Sequence, residues 1–397
     1  MSDDQRGGPP PLPPTGVTGA PPPPPAVGGP EGHAVIHQTE ATRTYPCGTC
    51  GANLEFHIGT QRLQCPSCGT AQDLAEVSGT VEEQDLTSAL RGLRDRTAEV
   101  EVVSGEKEIV CQSCGGHTTF TGTWTAQRCP YCATPIQRDD VHDAPDRLPV
   151  DGVLPFTIDR KAAEEALGKW VSSRWFAPSE FKDYSRAGSF SSVYSAYFTY
   201  DAETTTRYTG QRGDDRTETR GSGEDRETVT VTDWRHVSGT VHNSFDDVAV
   251  AANEGLNPKH VQSLEPWPLH QVQPFSPEFL AGHLSRTYDN SLEECFDTAK
   301  DRMEGTIDST IRRDIGGDHQ RIHTKDIRWS ALTFKHLLLP IWLLTVIYAG
   351  QTYQVMINGT TGEVHGERPY SKVKIAAAVV VALIVLGIAA FLYFGSS

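Results

Sequence analysis

The stretch Cys47-Gly48-Thr49-Cys50-Gly51, answered by Cys65-Pro66-Ser67-Cys68-Gly69, decides how this chain is read. The same arrangement recurs as Cys111/Cys114 and Cys129/Cys132, with fourteen residues between the two pairs of each unit. A two-residue spacer lets a tight turn aim two sulfurs at one ion, and two such turns facing each other complete a tetrahedral thiolate shell. Each unit therefore reads as a zinc ribbon. Gly51, Gly69 and Gly115 follow the second Cys of their pairs, where the backbone must turn sharply, and Ala133 breaks the rule. Phe56 aligns with Phe120 and Pro66 with Pro130, which marks a duplication.

Other uses of paired cysteines fit less well. A disulfide framework belongs to an oxidising compartment, and the chain opens Met-Ser-Asp-Asp with no apolar leader. A thioredoxin-like redox pair sits at a strand-helix junction of a βαβ unit, a pattern missing around these motifs. Iron in a four-sulfur site is the nearer rival, because tetrahedral thiolate suits both metals. The expectation is two zinc ions on Cys47, Cys50, Cys65, Cys68, Cys111, Cys114, Cys129 and Cys132, all structural, with no position left open for water or substrate.

Over 397 residues the formal charge is −16. The ribbon region shares the acidic excess, and four thiolates around a zinc add a further negative charge, so generic attraction to phosphate backbones is disfavoured. At the other end, Ile375 to Phe394 is an uncharged apolar run of about 20 residues, the length a helix needs to cross a bilayer. With Lys372 and Lys374 before it and Phe391, Tyr393 and Phe394 near its end, it predicts a transmembrane tail anchor over 372–397. The expected location is the cell membrane, single-pass, with the N-terminal bulk in the cytoplasm. Leu337 to Ala349 is shorter, contains Pro340, and reads as a buried strand.

Residues 1–40 form a Pro/Gly-rich arm expected to be disordered. Zinc ribbons follow at 41–76 and 105–140. The linker between them, 77–104, carries Leu86, Ala89, Leu90 and Leu93 at helical spacing, a short helix expected to pack the ribbons together. The remainder, 150–371, predicts an α+β domain with a mixed or antiparallel sheet. Leu154 to Ile158 reads as an entering strand, and Asp159 caps a helix with Ala163, Leu167, Trp170 and Val171 on one side. Val193 to Tyr200 and Glu227 to Val231 read as strands joined by a polar connection containing Arg212-Gly213-Asp214. Ser291 and Glu294 are spaced as a capping box for a long helix with the stripe Leu292, Phe296, Ala299, Met303, Ile307 and Ile311. Cys295 lies beside that stripe as a small hydrophobe. A meander closes the domain, its turn at Asn358-Gly359-Thr360-Thr361-Gly362 being a better reading of that sequon than glycosylation.

Leu154-Pro155-Phe156, Pro340-Ile341-Trp342-Leu343, Tyr353-Gln354-Val355, Asn358-Gly359 and Gly366-Glu367-Arg368-Pro369-Tyr370-Ser371 carry a resemblance. Most of the chain after the proline-rich arm resembles uncharacterised bacterial membrane-anchored tandem zinc-ribbon proteins. Members of that group are catalogued as primosomal protein N′ (replication factor Y), superfamily II helicase, or transcription-factor-B-type zinc-ribbon proteins. The resemblance implies metal ligation at the eight cysteines and no catalytic residue. The sequence departs from the group's pattern at Tyr194-Ser195-Ala196-Tyr197, where a Pro and a Trp are usual.

A helicase needs a Gly-rich phosphate loop ending in Lys and Ser or Thr. Gly168-Lys169 is followed by Trp170, within a helical pattern. No hydrolase, metalloprotease or dinucleotide motif occurs either, so the expectation is a non-enzymatic, membrane-anchored interaction or scaffolding module with a protein partner of unknown identity. The alternative is a nucleic-acid-binding ribbon protein of replication or transcription. Trp124 and Tyr131 are read as hairpin aromatics covering a small core rather than as recognition groups.

Overall fold

Alternation of buried and exposed residues runs unbroken through segments that look like loops in the sequence. Along 202–210, Ala202, Thr204, Thr206, Tyr208 and Gly210 are buried while Glu203, Arg207 and Thr209 are exposed, the period-two signature of a strand. The computed structural model describes residues 40–43, 45–74, 79–97, 107–110, 117–120, 124–128, 135–138, 148–174, 178, 189–221, 227–253, 257–288, 290–348 and 351–395. The Pro/Gly-rich arm, apart from Glu40, lies outside them. So do Cys111, Cys114, Cys129, Cys132 and Tyr131, along with the side chain of Trp124.

In chain order, β1 (Glu40–Arg43) precedes the first ribbon, whose strands are β2 (Glu55–His57), β3 (Arg62–Gln64) and β4 (Ala71–Gln72). Next come β5 (Gln84–Asp85), α1 (Leu86–Thr97), and the hairpins β6 (Lys107–Val110) with β7 (His117–Phe120) and β8 (Trp124–Arg128) with β9 (Pro135–Arg138). Then follow β10 (Gly152–Val153), α2 (Arg160–Ser172), β11 (Ser189–Arg220), β12 (Glu227–Ala251) and α3 (Pro258–Gln262). The chain continues through β13 (Gln273–Pro274), β14 (Leu284–Arg286), α4 (Leu292–Ile315) and β15 (His319–Tyr348). It ends with β16 (Gln351–Asn358), β17 (Val364–Gly366) and α5 (Lys372–Gly395).

Strand takes 44% of the residues against 29% helix, which corrects the α+β expectation to a mainly β fold. The physical reason is the length of three strands. β11, β12 and β15 run for 32, 25 and 30 residues, and β11 pairs antiparallel with both neighbours for most of its course. Arg212-Gly213-Asp214 is therefore not a connection but the interior of β11, with Gly213 opposite Trp234 and His319. A Cβ on Gly213 would come within 2.7 Å of Thr232 Cγ2 and 3.1 Å of Trp234 Cζ3, so glycine is there for close packing across strands.

The distal half of these strands forms a three-stranded arm backed by α4. Ser291 accepts a hydrogen bond from the Glu294 amide and Glu294 accepts one from the Ser291 amide, the expected capping box. The whole predicted stripe is buried, and Ile307, Ile311 and Ile315 pack with Tyr208 and Val241 on one face of the arm. Tyr208 donates to Asp314 at 2.6 Å, and Lys325 holds Glu304 and Asp308 at 2.8 and 3.0 Å, tying helix to sheet at its polar margin.

Nearer the ribbon the sheet widens. β15 pairs with β16, β10 joins β15 in parallel, and β14 joins β11 in parallel and passes the sheet on to β8. The strand expected from Leu154 to Ile158 does not form: the only pairing there is β10, just before it at Gly152–Val153, and Asp159 caps α2 by accepting from the Ala162 amide at 2.7 Å. Helix α1 forms where expected but packs on β15, and Arg94 bridges to Glu293 of α4 at 2.6 Å, so it braces the sheet. Asn358 is fully buried, donates to the Leu264 carbonyl, and accepts from Thr360 and Thr361 amides, which makes it a turn residue.

Membrane anchoring is corrected. Residues Lys372–Gly395 are helical, with Val379, Leu383 and Leu386 exposed, but among the described residues no helix is long and apolar enough to cross a membrane. The membrane as partner, the tail anchor and the single-pass location with a cytoplasmic bulk lose their basis together.

Candidate metal centre

Two short turns build the centre. In the first, the Cys47 amide donates to the Ala52 carbonyl at 2.6 Å and the Gly51 amide to the Cys47 carbonyl at 2.9 Å. The second repeats this with Cys65 to Thr70 at 2.8 Å and Gly69 to Cys65 at 2.9 Å. Gly51 and Gly69 take φ of 75° and 76°, a conformation that side chains resist. The repetition follows from the Cys-x-x-Cys-Gly sequence shared by both turns.

The turns face each other, and Cys47, Cys50, Cys65 and Cys68 form one cluster of sulfurs able to hold a metal ion. Cys47 Sγ lies 3.6 Å from Cys68 Sγ, and Cys50 Sγ 3.5 Å from Cys65 Sγ. Ligands about 2.3 Å from a tetrahedral centre stand roughly 3.8 Å apart, so the sulfurs fit that geometry and are too distant for disulfides. The first Cys of each turn is buried and the second exposed, which sets the cluster at the protein surface. Hydrogen bonding by the Thr70 hydroxyl at 3.1 Å, then by its amide, brings the Cys68 thiol down to about 6, favouring the ligating thiolate. Four sulfurs close the shell, which suits a structural rather than a catalytic site.

Beneath the cluster, the ribbon is seated on the sheet. The Phe56 amide donates to the Ala281 carbonyl at 2.9 Å, and the Phe56 ring packs on Phe279 and His283 at 5.2 and 6.1 Å between centroids. Gln61 donates to the Phe156 carbonyl at 2.8 Å. Phe156 in turn stacks on His283 at 4.9 Å and meets Trp342 and Tyr194 edge-on. His283 Nδ1 shares a 2.7 Å hydrogen bond with Ser192.

Three of the segments singled out in the sequence meet here. The Gly359 amide donates to the Pro340 carbonyl at 2.8 Å, and a Cβ on Gly359 would lie 2.6 Å from the Phe156 ring. Trp342 Nε1 donates to the Ile158 carbonyl. Leu154-Pro155-Phe156, Pro340-Ile341-Trp342 and Asn358-Gly359 are thus the floor on which the ribbon rests. Tyr194, part of the departing segment, fills this floor, while Tyr197 packs against Trp267 elsewhere. Sequence reasoning missed Phe279, Ala281, His283 and Ser192, which lie more than 120 positions from Cys47, Cys50, Cys65 and Cys68 and carry no local motif.

A second group capable of approaching a cation, Glu83, Asp201 and Asp246, also escaped the sequence reading. Lys335 reaches Glu83 of this group at 3.5 Å and the neighbouring Asp247 at 2.7 Å.

Among known proteins, the chain is similar to an uncharacterized protein, YdjG, of Bacillus subtilis (strain 168), with 27% identity over 340 residues, 84% of this chain and 92% of that protein. No family description matches the chain, and no solved structure matches it.

Proposed function

We propose that the protein is a non-enzymatic interaction scaffold in which zinc-stapled ribbons present a recognition surface held at fixed orientation by the β domain. The seating of the first ribbon on the Phe156, Trp342 and His283 floor carries this reading. A metal turn that only closed a loop would not need backbone and aromatic anchors to a distant sheet. Cys50 and Cys68, with the turn residues Thr49, Pro66 and Ser67, face solvent, so the staple shapes an exposed surface. Zinc is favoured over iron because a redox-inert ion suits a closed structural shell. The second cysteine unit, by its duplicated spacing, takes a second ion, and the likeness to tandem zinc-ribbon proteins belongs to this reading.

Elemental analysis of the purified full chain tests the metal, with two zinc ions per chain expected. One ion, or iron, overturns that part. For the function, crosslinked capture from lysate with the intact chain and with the Cys65→Ser, Cys129→Ser variant is expected to yield a protein that rebinds, once purified, only to the intact form. Equal rebinding to both forms, or steady ATP turnover by the intact chain with DNA, refutes the scaffold.

A further inference from the structure

The arm built from β11, β12 and β15 uses one face to bury α4 and leaves the other bare. Paired residues of adjacent strands share a face, so pairing places Arg207, Thr209 and Gln211 with Thr240, Ser238 and His236 on one side and Asp326, Thr324 and Arg321 on the other. The same face continues to Gly213 with Trp234 and His319, and to Thr205 with His242 and Arg328. Most of these side chains are exposed, and the buried residues of the arm point the opposite way, to Ile307 and Ile311.

Its composition is unlike the rest of an acidic chain. Three guanidinium groups, Arg207, Arg321 and Arg328, face one central carboxylate, Asp326. Glu203 and Asp215 stand at the two ends, the latter bonded to His319 at 3.1 Å. Between the cations lie flat rings. The Arg321 guanidinium sits 3.9 Å from the Trp234 ring centroid, Trp234 is 6.2 Å from His319, and His236 is 6.2 Å from His323. Hydroxyls of Thr209, Thr240, Ser238 and Thr324 fill the gaps. Glycine at 213 keeps the middle strand low between Trp234 and His319, where a side chain would push both away.

We propose that this face binds single-stranded nucleic acid. Cations spaced along a groove or sheet follow the phosphates, while aromatic and guanidinium planes stack unpaired bases with little regard to sequence. Imidazole, indole and guanidinium are all present here in register. An acidic peptide would use the arginines but has nothing to stack on the rings. A duplex hides the faces of its bases and offers the platform only phosphate. The −16 charge confines binding to this face, and from 205 to 213 it runs for about 27 Å, room for roughly four nucleotides. Nothing in this inference depends on the ribbons or their metal.

Fluorescence anisotropy of the full zinc-loaded chain with labelled oligo-dT, oligo-U and a duplex of equal length tests it. Both single strands are expected to bind, the duplex at least ten-fold more weakly. Arg207→Ala, Arg321→Ala and Arg328→Ala together should flatten the slope of log affinity against log salt by about 2, at about 0.7 per phosphate contact. Trp234→Ala should weaken binding by about 5-fold to 100-fold with the slope unchanged, an effect of lost stacking. Arg160→Ala, far from the arm in sequence and paired with Glu164, should change nothing. Preference between dT and U tells DNA from RNA as the source. No binding near 100 µM, the weak end of nonspecific affinities, overturns the proposal. So does equal binding of the duplex, indifference to both sets of substitutions, or displacement by polyglutamate as effective as by unlabelled oligo-dT.

Discussion

The first ribbon and the long arm solve opposite problems. The ribbon has few apolar residues of its own, with Leu54, Phe56 and Leu63 buried beside Cys47 and Cys65, so it depends on its sulfur cluster and on the floor it sits on. A core that small rarely sustains a fold unaided. The arm contains no metal-ligating cluster among the described residues and is held by strand pairing plus one amphipathic helix, Ile307, Ile311 and Ile315 closing on Tyr208 and Val241. With the proposed metal bound, one region is fixed by coordination at a point, the other by pairing along a line. Damage should therefore stay local in the first and spread in the second.

Removing the metal is the largest perturbation. Structural zinc in small ribbons contributes apparent free energies of about 10 to 16 kcal/mol, so strong chelation or Cys65→Ser should abolish amide protection across 45–72. Hydrogen exchange by mass spectrometry is expected to show that loss with α4 and its strands still protected. Next comes Ile311→Ala, which opens a cavity in the fully buried seam between α4 and the arm and should cost about 2 to 5 kcal/mol. Denaturant unfolding should register it across the sheet, with metal content unchanged. If chelation melts the arm as readily as the ribbon, the two regions are one cooperative unit and the contrast fails.

The same contrast explains what could be read from sequence. Cys-x-x-Cys-Gly is a local signal, because two residues of spacing fix where both sulfurs point, and the cluster of Cys47, Cys50, Cys65 and Cys68 forms as the spacing demands. Helix α4 was equally legible, since its cap and stripe lie within one run of chain. The arm was not. Its exposed face is Thr, Arg, Gln and His, and its glycines mimic turns, so alternation is hidden unless Tyr208 and Val241 are known to face a helix. Phe156, His283 and Trp342 were beyond reach for another reason, because only the fold brings them together. The apolar C-terminal run shows the converse hazard, as length and hydropathy alone suggested a span that the described helix does not provide.

A smaller effect is expected at the start of α4. Ser291→Ala removes the hydroxyl that accepts from the Glu294 amide and should cost about 1 kcal/mol. Bonds from the Ser291 amide and then its hydroxyl hold the Glu294 carboxyl below its ordinary range. Stability from a depressed carboxyl is present at neutral pH and disappears as pH falls through the lowered value. The gap between variant and parent should therefore narrow in acid without closing, because the bond from the Glu294 amide to the Ser291 hydroxyl does not titrate, and a pair of urea titrations at pH 7 and pH 3 would reveal it.

Thiol chemistry sharpens the comparison without altering stability. Cys68 stands at the surface with its thiol drawn down to about 6 by Thr70, whereas burial pushes Cys295, in α4, up to about 12. The reactive species is the thiolate, so these two cysteines sit at opposite ends of the reactivity range. With the metal chelated and N-ethylmaleimide added at pH 7.5, peptide mapping should find Cys68 modified first and Cys295 unmodified until denaturant is added. Cys295 needs both solvent access and loss of its proton, and only opening of the seam that buries Phe296, Ala299 and Met303 supplies the access. Modification of Cys295 in step with the ribbon cysteines would mean that losing the point of coordination also opens the line of pairing, with the seat at Phe56 and Ala281 as the route between them.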